Sequence, residues 1–182
     1  MNKIILILIL LTFFGFNQVS ANDSAVDTLP AIVSSDWDET QMIGETTLRK
    51  FGFHIYDASF WNLSKNLEDN SLTSRALMIV YARKIASEKL VNSTKKQWKD
   101  IGIPKEYPTA DWLNQLGNIW PSVKKGDVLV ALVESDGTTK FYSSTEMLGE
   151  IDDPEFGQAF LDIWIGDNTN YKRNRKELLN EK

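Results

Sequence analysis

Residues 75–83 are apolar on both alternating faces, with Leu77, Ile79 and Tyr81 on one and Met78 and Val80 on the other. That pattern predicts a strand covered on each side. Upstream, residues 48–61 are rich in Phe, Ile, Tyr and Trp and are punctuated by Gly52, which predicts a long strand-like segment; residues 37–42 predict a first, shorter one. Residues 22–35, small and polar with Pro30, read as a leader of weak structure, and residues 62–74 as a polar loop. From Ser87, the expected N-cap, the period changes: Leu90, Thr94, Trp98 and Ile101 form one stripe of an amphipathic helix. Beyond a Gly- and Pro-containing break, Thr109 is the next cap candidate, and Trp112, Leu116, Ile119 and Trp120 form a second stripe that ends at Pro121. Strands are predicted over 128–134 and 138–143, joined by an Asp136-Gly137 hairpin turn. Asp153 caps a helix with Pro154 at its first position, Phe156, Phe160, Ile163 and Trp164 as its buried stripe and Gly166 at its end; a short basic helix over 171–179 follows. Strands, two helices, a hairpin and two helices, with no internal repeat, predict one α+β domain in which helices pack on an antiparallel sheet.

Residues 1–21 change where this domain begins. Lys3, an apolar run over 4–16 and small residues at Val19-Ser20-Ala21 form the pattern of a secretory signal peptide. The run is shorter than the roughly 20 residues a membrane-spanning helix needs. The expected mature domain is therefore 22–182, exported to a periplasm or the extracellular space, with no stable membrane insertion after cleavage.

Composition narrows the chemistry. In 182 residues there are 20 Lys plus Arg against 25 Asp plus Glu, one His and no Cys. The absence of cysteine excludes disulfides, thiolate metal sites and a Cys nucleophile. A single histidine excludes the multi-histidine metal motifs, and no metal or cofactor is expected. A net charge of −5 argues against a nucleic-acid partner, which would require a basic face.

Candidate functional residues are few. His54 lies inside a strand pattern and has no G-x-S-x-G elbow to serve, so it reads as a sheet residue. Asp152, Asp153 and Glu155 sit where a helix begins and read as capping acids rather than a calcium loop. Lys172, Arg173, Arg175 and Lys176 read as the solvated end of the terminal helix. Arg49 is the more informative residue. It opens an otherwise apolar segment, with Tyr56 seven residues on. A guanidinium fork and a phenol could together hold an anionic head while aromatic neighbours take an apolar body; the competing reading is an edge arginine whose stem packs on Phe51. An odd spacing puts the two on opposite faces of a regular strand, so they converge only if a bulge or bend, expected at Gly52, resets the alternation.

Four segments carry a resemblance to a known family: GETTLRKFGFHIYDASFW (44–61), RALMIVYARKIASEKL (75–90), VKKGD (123–127) and IDDPEFGQAFLDIWIG (151–166). In this order they resemble the chalcone isomerase superfamily, and within it the secreted bacterial chalcone isomerase-like branch. The resemblance implies an open-faced β-sandwich: a large antiparallel sheet, a layer of helices and a ligand cleft between them. It also implies one of two activities, cyclisation of chalcones or non-catalytic binding of fatty acids. Arg49 is similar to the arginine that faces the cleft in both groups, and Tyr56 stands where fatty-acid binders have Tyr and the enzymes Thr. Leu90, Gln97 and Ile163 stand where the plant enzymes carry a catalytic Tyr, an Asn, and a Ser or Thr. Ring closure needs hydroxyls that position a phenolate and an ordered water, so their loss favours binding without turnover. The expectation is an exported binder of a small amphipathic anion such as a fatty acid, with Arg49 and Tyr56 as ligand-binding residues. The alternatives are an isomerase or intramolecular lyase acting on an enone, and an envelope accessory protein with a vestigial cleft.

Overall fold

The computed structural model describes residues 26–65 and 73–182; the expected signal peptide lies outside them. Six antiparallel strands pair in chain order: β1 (Glu39–Lys50), β2 (Phe53–Ser64), β3 (Ser74–Tyr81), β4 (Val128–Val133), β5 (Thr139–Tyr142) and β6 (Met147–Ile151). Helix α1 (Ala31–Ser34) precedes the sheet. Between β3 and β4 lie α2 (Ser87–Ile101) and α3 (Thr109–Ile119), and after β6 come α4 (Pro154–Ile165) and α5 (Lys172–Leu178). This is the α+β sheet-and-helix architecture expected.

The two apolar faces of β3 go to two separate cores. Leu77, Ile79 and Tyr81 join Ala58, Phe60, Leu129, Ala131 and Phe141 beneath α2–α4. Met78 and Val80 face the other way, into a cluster with Trp61, Leu63, Val130 and Leu132 that Val26, Leu29 and Val33 complete. Residues 26–35 are therefore not a leader of weak structure: three apolar side chains spaced along a polar stretch are enough to seat them on the sheet's second face.

Aromatic rings hold the helical layer down. Phe156 and Phe160 of α4 stack 5.7 Å apart and meet Phe141 of β5 edge-on at 6.1 and 5.6 Å. Trp98 and Trp112 close on Phe156 from α2 and α3. Asp153 caps α4 as expected, accepting the Glu155 amide at 3.1 Å, and also accepts the Trp112 indole N–H at 2.9 Å. Burial alone would raise its pKa, but these hydrogen bonds outweigh that and hold the carboxyl below its ordinary value. The other two expected caps differ. Ala86 and Pro108 hold the cap positions of α2 and α3 without side-chain bonds, and the Ser87 amide donates instead to Ser122 Oγ.

The segment 48–61 is two strands, not one. The chain reverses at Phe51 and Gly52, both with positive φ (52° and 81°), so β1 and β2 form a hairpin. β6 also escapes the pattern, because a five-residue edge strand containing Gly149 has little alternation to show. Finally, α5 is more than a solvated basic end. Leu178 is buried, Asn174 Nδ2 donates to Thr46 Oγ1 at 2.7 Å, and Arg175 bridges Asp167 and Glu181 while donating to the Ile165 carbonyl. Gly44 permits this docking, since a Cβ there would lie 2.2 Å from the Glu177 carbonyl oxygen and 2.7 Å from that of Leu178. Both obstacles are backbone and cannot rotate away. Gly44→Ala is expected to destabilise the fold by about 3 kcal/mol through this overpacking, measured by denaturant unfolding, whereas Gly117→Ala, with open space around its Cβ, should not destabilise it.

Candidate functional site

Between the sheet and the helices lies a cavity of about 250 Å³, near the lower end of the roughly 300–1,000 Å³ typical of small-molecule sites. Its floor is Leu77, Ile79, Leu129, Ala131 and Phe141 from the sheet, and its roof includes Leu90 of α2 and Phe160, Ile163 and Trp164 of α4. Ser93, Thr94 and Gln97 of α2 add polar groups to the lining, and two further kinds stand out. Three tyrosines, Tyr56, Tyr81 and Tyr171, bring hydroxyls, and two lysines, Lys50 and Lys89, bring charge. No Asp, Glu or His lines it. Lys50, Lys89 and Ser93 are the exposed members of the lining, so the cavity opens between the β1–β2 hairpin and α2.

The hydroxyls are neutral donors. Tyr56 Oη accepts the Trp164 indole N–H at 2.9 Å, which leaves its own proton free to donate. Tyr56 is half-buried, and desolvation pushes its pKa well above the ordinary tyrosine value despite the opposing effect of the Trp164 bond. Tyr81, paired with Tyr56 in register on β3, is raised by desolvation alone, and its hydroxyl bonds to no described residue. Tyr171 is raised likewise by desolvation; its oxygen accepts from Gln97 Nε2 at 3.0 Å. Gln97 is held at both ends of its amide, since its Oε1 accepts from Asn170 at 3.3 Å.

Of the two site residues expected from sequence, Tyr56 lines this cavity. Arg49 does not. It is exposed and borders a second, more open cleft with Lys50, Lys96, Lys172 and Arg173, and that cleft shares Leu48, Lys50, Gln97 and Tyr171 with the cavity. The resetting of alternation occurs at Ile55 rather than Gly52: Leu48 pairs with Tyr56 but Arg49 with His54, so Ile55 bulges and Leu48, not Arg49, sits opposite Tyr56. Lys96 and Arg173 are held by Asp100 and Glu177. Arg49 and Lys50 have no carboxylate partner among the described residues. His54 instead bonds Asp57 at 3.0 Å, and Thr47 donates to the same carboxylate at 2.6 Å. Leu90, Gln97 and Ile163 all line the cavity.

Sequence reasoning overlooked Lys50, Lys89 and Tyr81. The signals were present. Lys50 is two residues past Leu48 and so shares its face, and Lys89, Ser93 and Gln97 recur every fourth residue, one position behind the core stripe of α2.

The chain matches the chalcone isomerase-like family over residues 25–180. It belongs to that family. Among curated proteins none matches it in sequence. Among solved structures it is similar to the crystal structure of an Arabidopsis thaliana fatty-acid binding protein, with 9% identity, a TM-score of 0.62, and coverage of 78% of this chain and 87% of that one. At that identity the likeness is one of fold.

The neutral tyrosines make a testable link to stability. Below the ordinary tyrosine pKa of about 10, these groups are protonated in folded and unfolded chains alike and add no pH dependence to stability. Above it the unfolded chain releases protons that folded Tyr56 and Tyr81 keep, so stability falls as pH rises. A thermal melt should therefore drop steeply above that pH, and Tyr81→Phe should flatten the drop.

Proposed function

We propose that this chalcone isomerase-like protein binds a small amphipathic anion, such as a fatty acid, and does not transform it. The observation that carries this reading is an apolar cavity whose mouth holds Lys50 and Lys89 and whose lining has no carboxylate, in a chain of net charge −5. An acyl body would rest on Leu77, Ile79, Leu129 and Phe160, and its carboxylate would meet the lysines at the mouth. Tyr56 would donate one hydrogen bond, and Arg49 would add its unpaired charge from the adjoining cleft. The fatty-acid binding protein of similar fold supports the same class of ligand. The signal pattern in residues 1–21 supports export to a periplasm or beyond, as in the secreted bacterial branch of the family.

The enzyme reading draws on one observation: Tyr81, Tyr171 and Gln97 face the cavity beside Tyr56. Isomerisation of an enone also needs a group that takes a proton near neutral pH. The lining has no carboxylate or imidazole, and burial holds its tyrosines in their protonated form. Binding is the better fit.

Titration with a fluorescent fatty acid tests the binder. Tyr56→Phe should weaken affinity by about 2 kcal/mol, the worth of a hydrogen bond to a charged group. Arg49→Ala, Lys50→Ala and Lys89→Ala, at solvent-exposed positions, should each weaken it by about threefold to fivefold. Unchanged affinity in all four, with melts showing them folded, would remove this site. Chalcone consumption, followed by its absorbance, is expected to stay at the uncatalysed rate; rapid stereoselective formation of flavanone would establish the enzyme instead.

A further inference from the structure

We propose that the tip of the β1–β2 hairpin, with the segment joining β3 to α2, is a docking surface for an anionic lipid bilayer. The tip holds the two most exposed large apolar side chains among the described residues, Phe51 at 90% and Phe53 at 63%. Phe51 buries almost nothing in the fold. Its ring packs on no core, and its φ of 52° is a conformation that a bulky L-residue adopts at a cost and that turns of this kind normally give to Asn or Gly. An aromatic side chain held outward on a strained backbone points to a contact outside the chain.

Charge at the tip identifies the contact. Arg49 and Lys50 precede Phe51, and residues 82–86 run beside the hairpin, fixed by the Ala82 amide donating to the Ile55 carbonyl at 3.0 Å. The Arg83 guanidinium lies 5.5 Å from the Phe53 ring centroid and Lys50 Nζ lies 5.8 Å from that of Phe51. Lys84 and Lys89 are exposed in the same stretch, with Glu88 as the acid between them. Five cations around two protruding aromatics, on an acidic chain, make a patch of opposite sign to the rest of the protein. Aromatics at headgroup depth within a ring of Lys and Arg are what an anionic membrane surface takes up. The cavity mouth, marked by Lys50 and Lys89, opens at this same end. A bilayer against the tip would therefore face the opening. The contact itself does not depend on which ligand the cavity accepts.

The test uses protein purified from its host with its natural N-terminus. Flotation with vesicles of phosphatidylcholine, with and without phosphatidylglycerol, should show binding that needs the anionic lipid and declines with salt. Phe51→Ser/Phe53→Ser should weaken it roughly tenfold or more, and Arg83→Gln and Lys84→Gln about fivefold each. Because the chain has no cysteine, Phe51→Cys accepts a single environment-sensitive dye. Its emission should shift blue on vesicles, while the same dye at Asp136→Cys, on the turn at the opposite end of the sheet, should not respond. Vesicle binding unchanged in the Phe double variant, equal binding to uncharged vesicles, or a silent dye at position 51 would overturn the proposal. A dimer in sedimentation that the double variant abolishes would assign the tip to a second copy of this chain instead. Fatty-acid affinity measured without vesicles should be the same in the Phe double variant and the natural protein, which separates failure of the membrane contact from failure of the cavity reading.

Discussion

The close seating of α4 on the sheet sets the geometry of everything around it. A Cβ at Gly157 would lie 2.6 Å from Val133 and 2.8 Å from Thr139, so only a bare backbone permits the approach. Asp153 holds that end by capping the helix and by accepting the Trp112 indole, which ties α3 to the same point. Trp98 of α2 donates its indole N–H to the Ala159 carbonyl at 2.8 Å. Helices α2 and α3 are thereby anchored to the first turns of α4, where Trp98, Trp112, Phe141, Phe156 and Phe160 pack ring against ring. Along the rest of α4, Phe160, Ile163 and Trp164 face α2 and the sheet across space that no side chain occupies. The cavity is the complement of that anchoring.

Its chemistry follows from what surrounds it. Strands β1–β3 contribute Lys50, Tyr56 and Tyr81, and α2 contributes Lys89. The tyrosines remain neutral because burial disfavours the phenolate, so their hydroxyls meet a ligand as uncharged hydrogen-bonding groups. The lysines stand where the cavity meets water, where a charged ammonium costs little desolvation and an incoming carboxylate loses its hydration only in part. Such a site can hold and orient an anion with an apolar body. The same end of the molecule carries the exposed aromatics and cations of the hairpin, so the opening of the cavity and the proposed lipid-facing surface coincide.

How much of this the amino-acid order contained depends on the range of the interaction. Local rules sufficed for the Asp153-Pro154 start of α4, because a cap involves neighbours within three residues. They also sufficed for the stripes of α2 and α4 and the two apolar faces of β3. They failed at Phe51, where an aromatic occupies a turn position that propensity assigns to Asn or Gly, and so a hairpin read as one strand. They failed for residues 26–35, whose seating depends on the second face of a sheet assembled from residues far along the chain. Ser87 and Thr109 resemble caps, but a helix start also depends on where the preceding chain is pinned, here by the Ile85–Val123 bridge and the Ser122 hydroxyl.

The amino-acid sequence by itself determined the class of fold, the family, the absence of thiol and multi-histidine chemistry, and Tyr56 as a candidate that the cavity includes. Each of these rests on residue identity or on periodicities of two and 3.6, which survive any rearrangement of the elements. The tertiary structure alone decided that Lys50, Lys89 and Tyr81 face one cavity and that Arg49 borders the cleft beside it. A bulge at a single residue, Ile55, put Tyr56 on the face of Leu48 and Lys50 rather than on that of Arg49 and His54. Strand alternation carries no memory past such a bulge, and a cavity is a difference between packed volumes that no stretch of sequence encodes on its own.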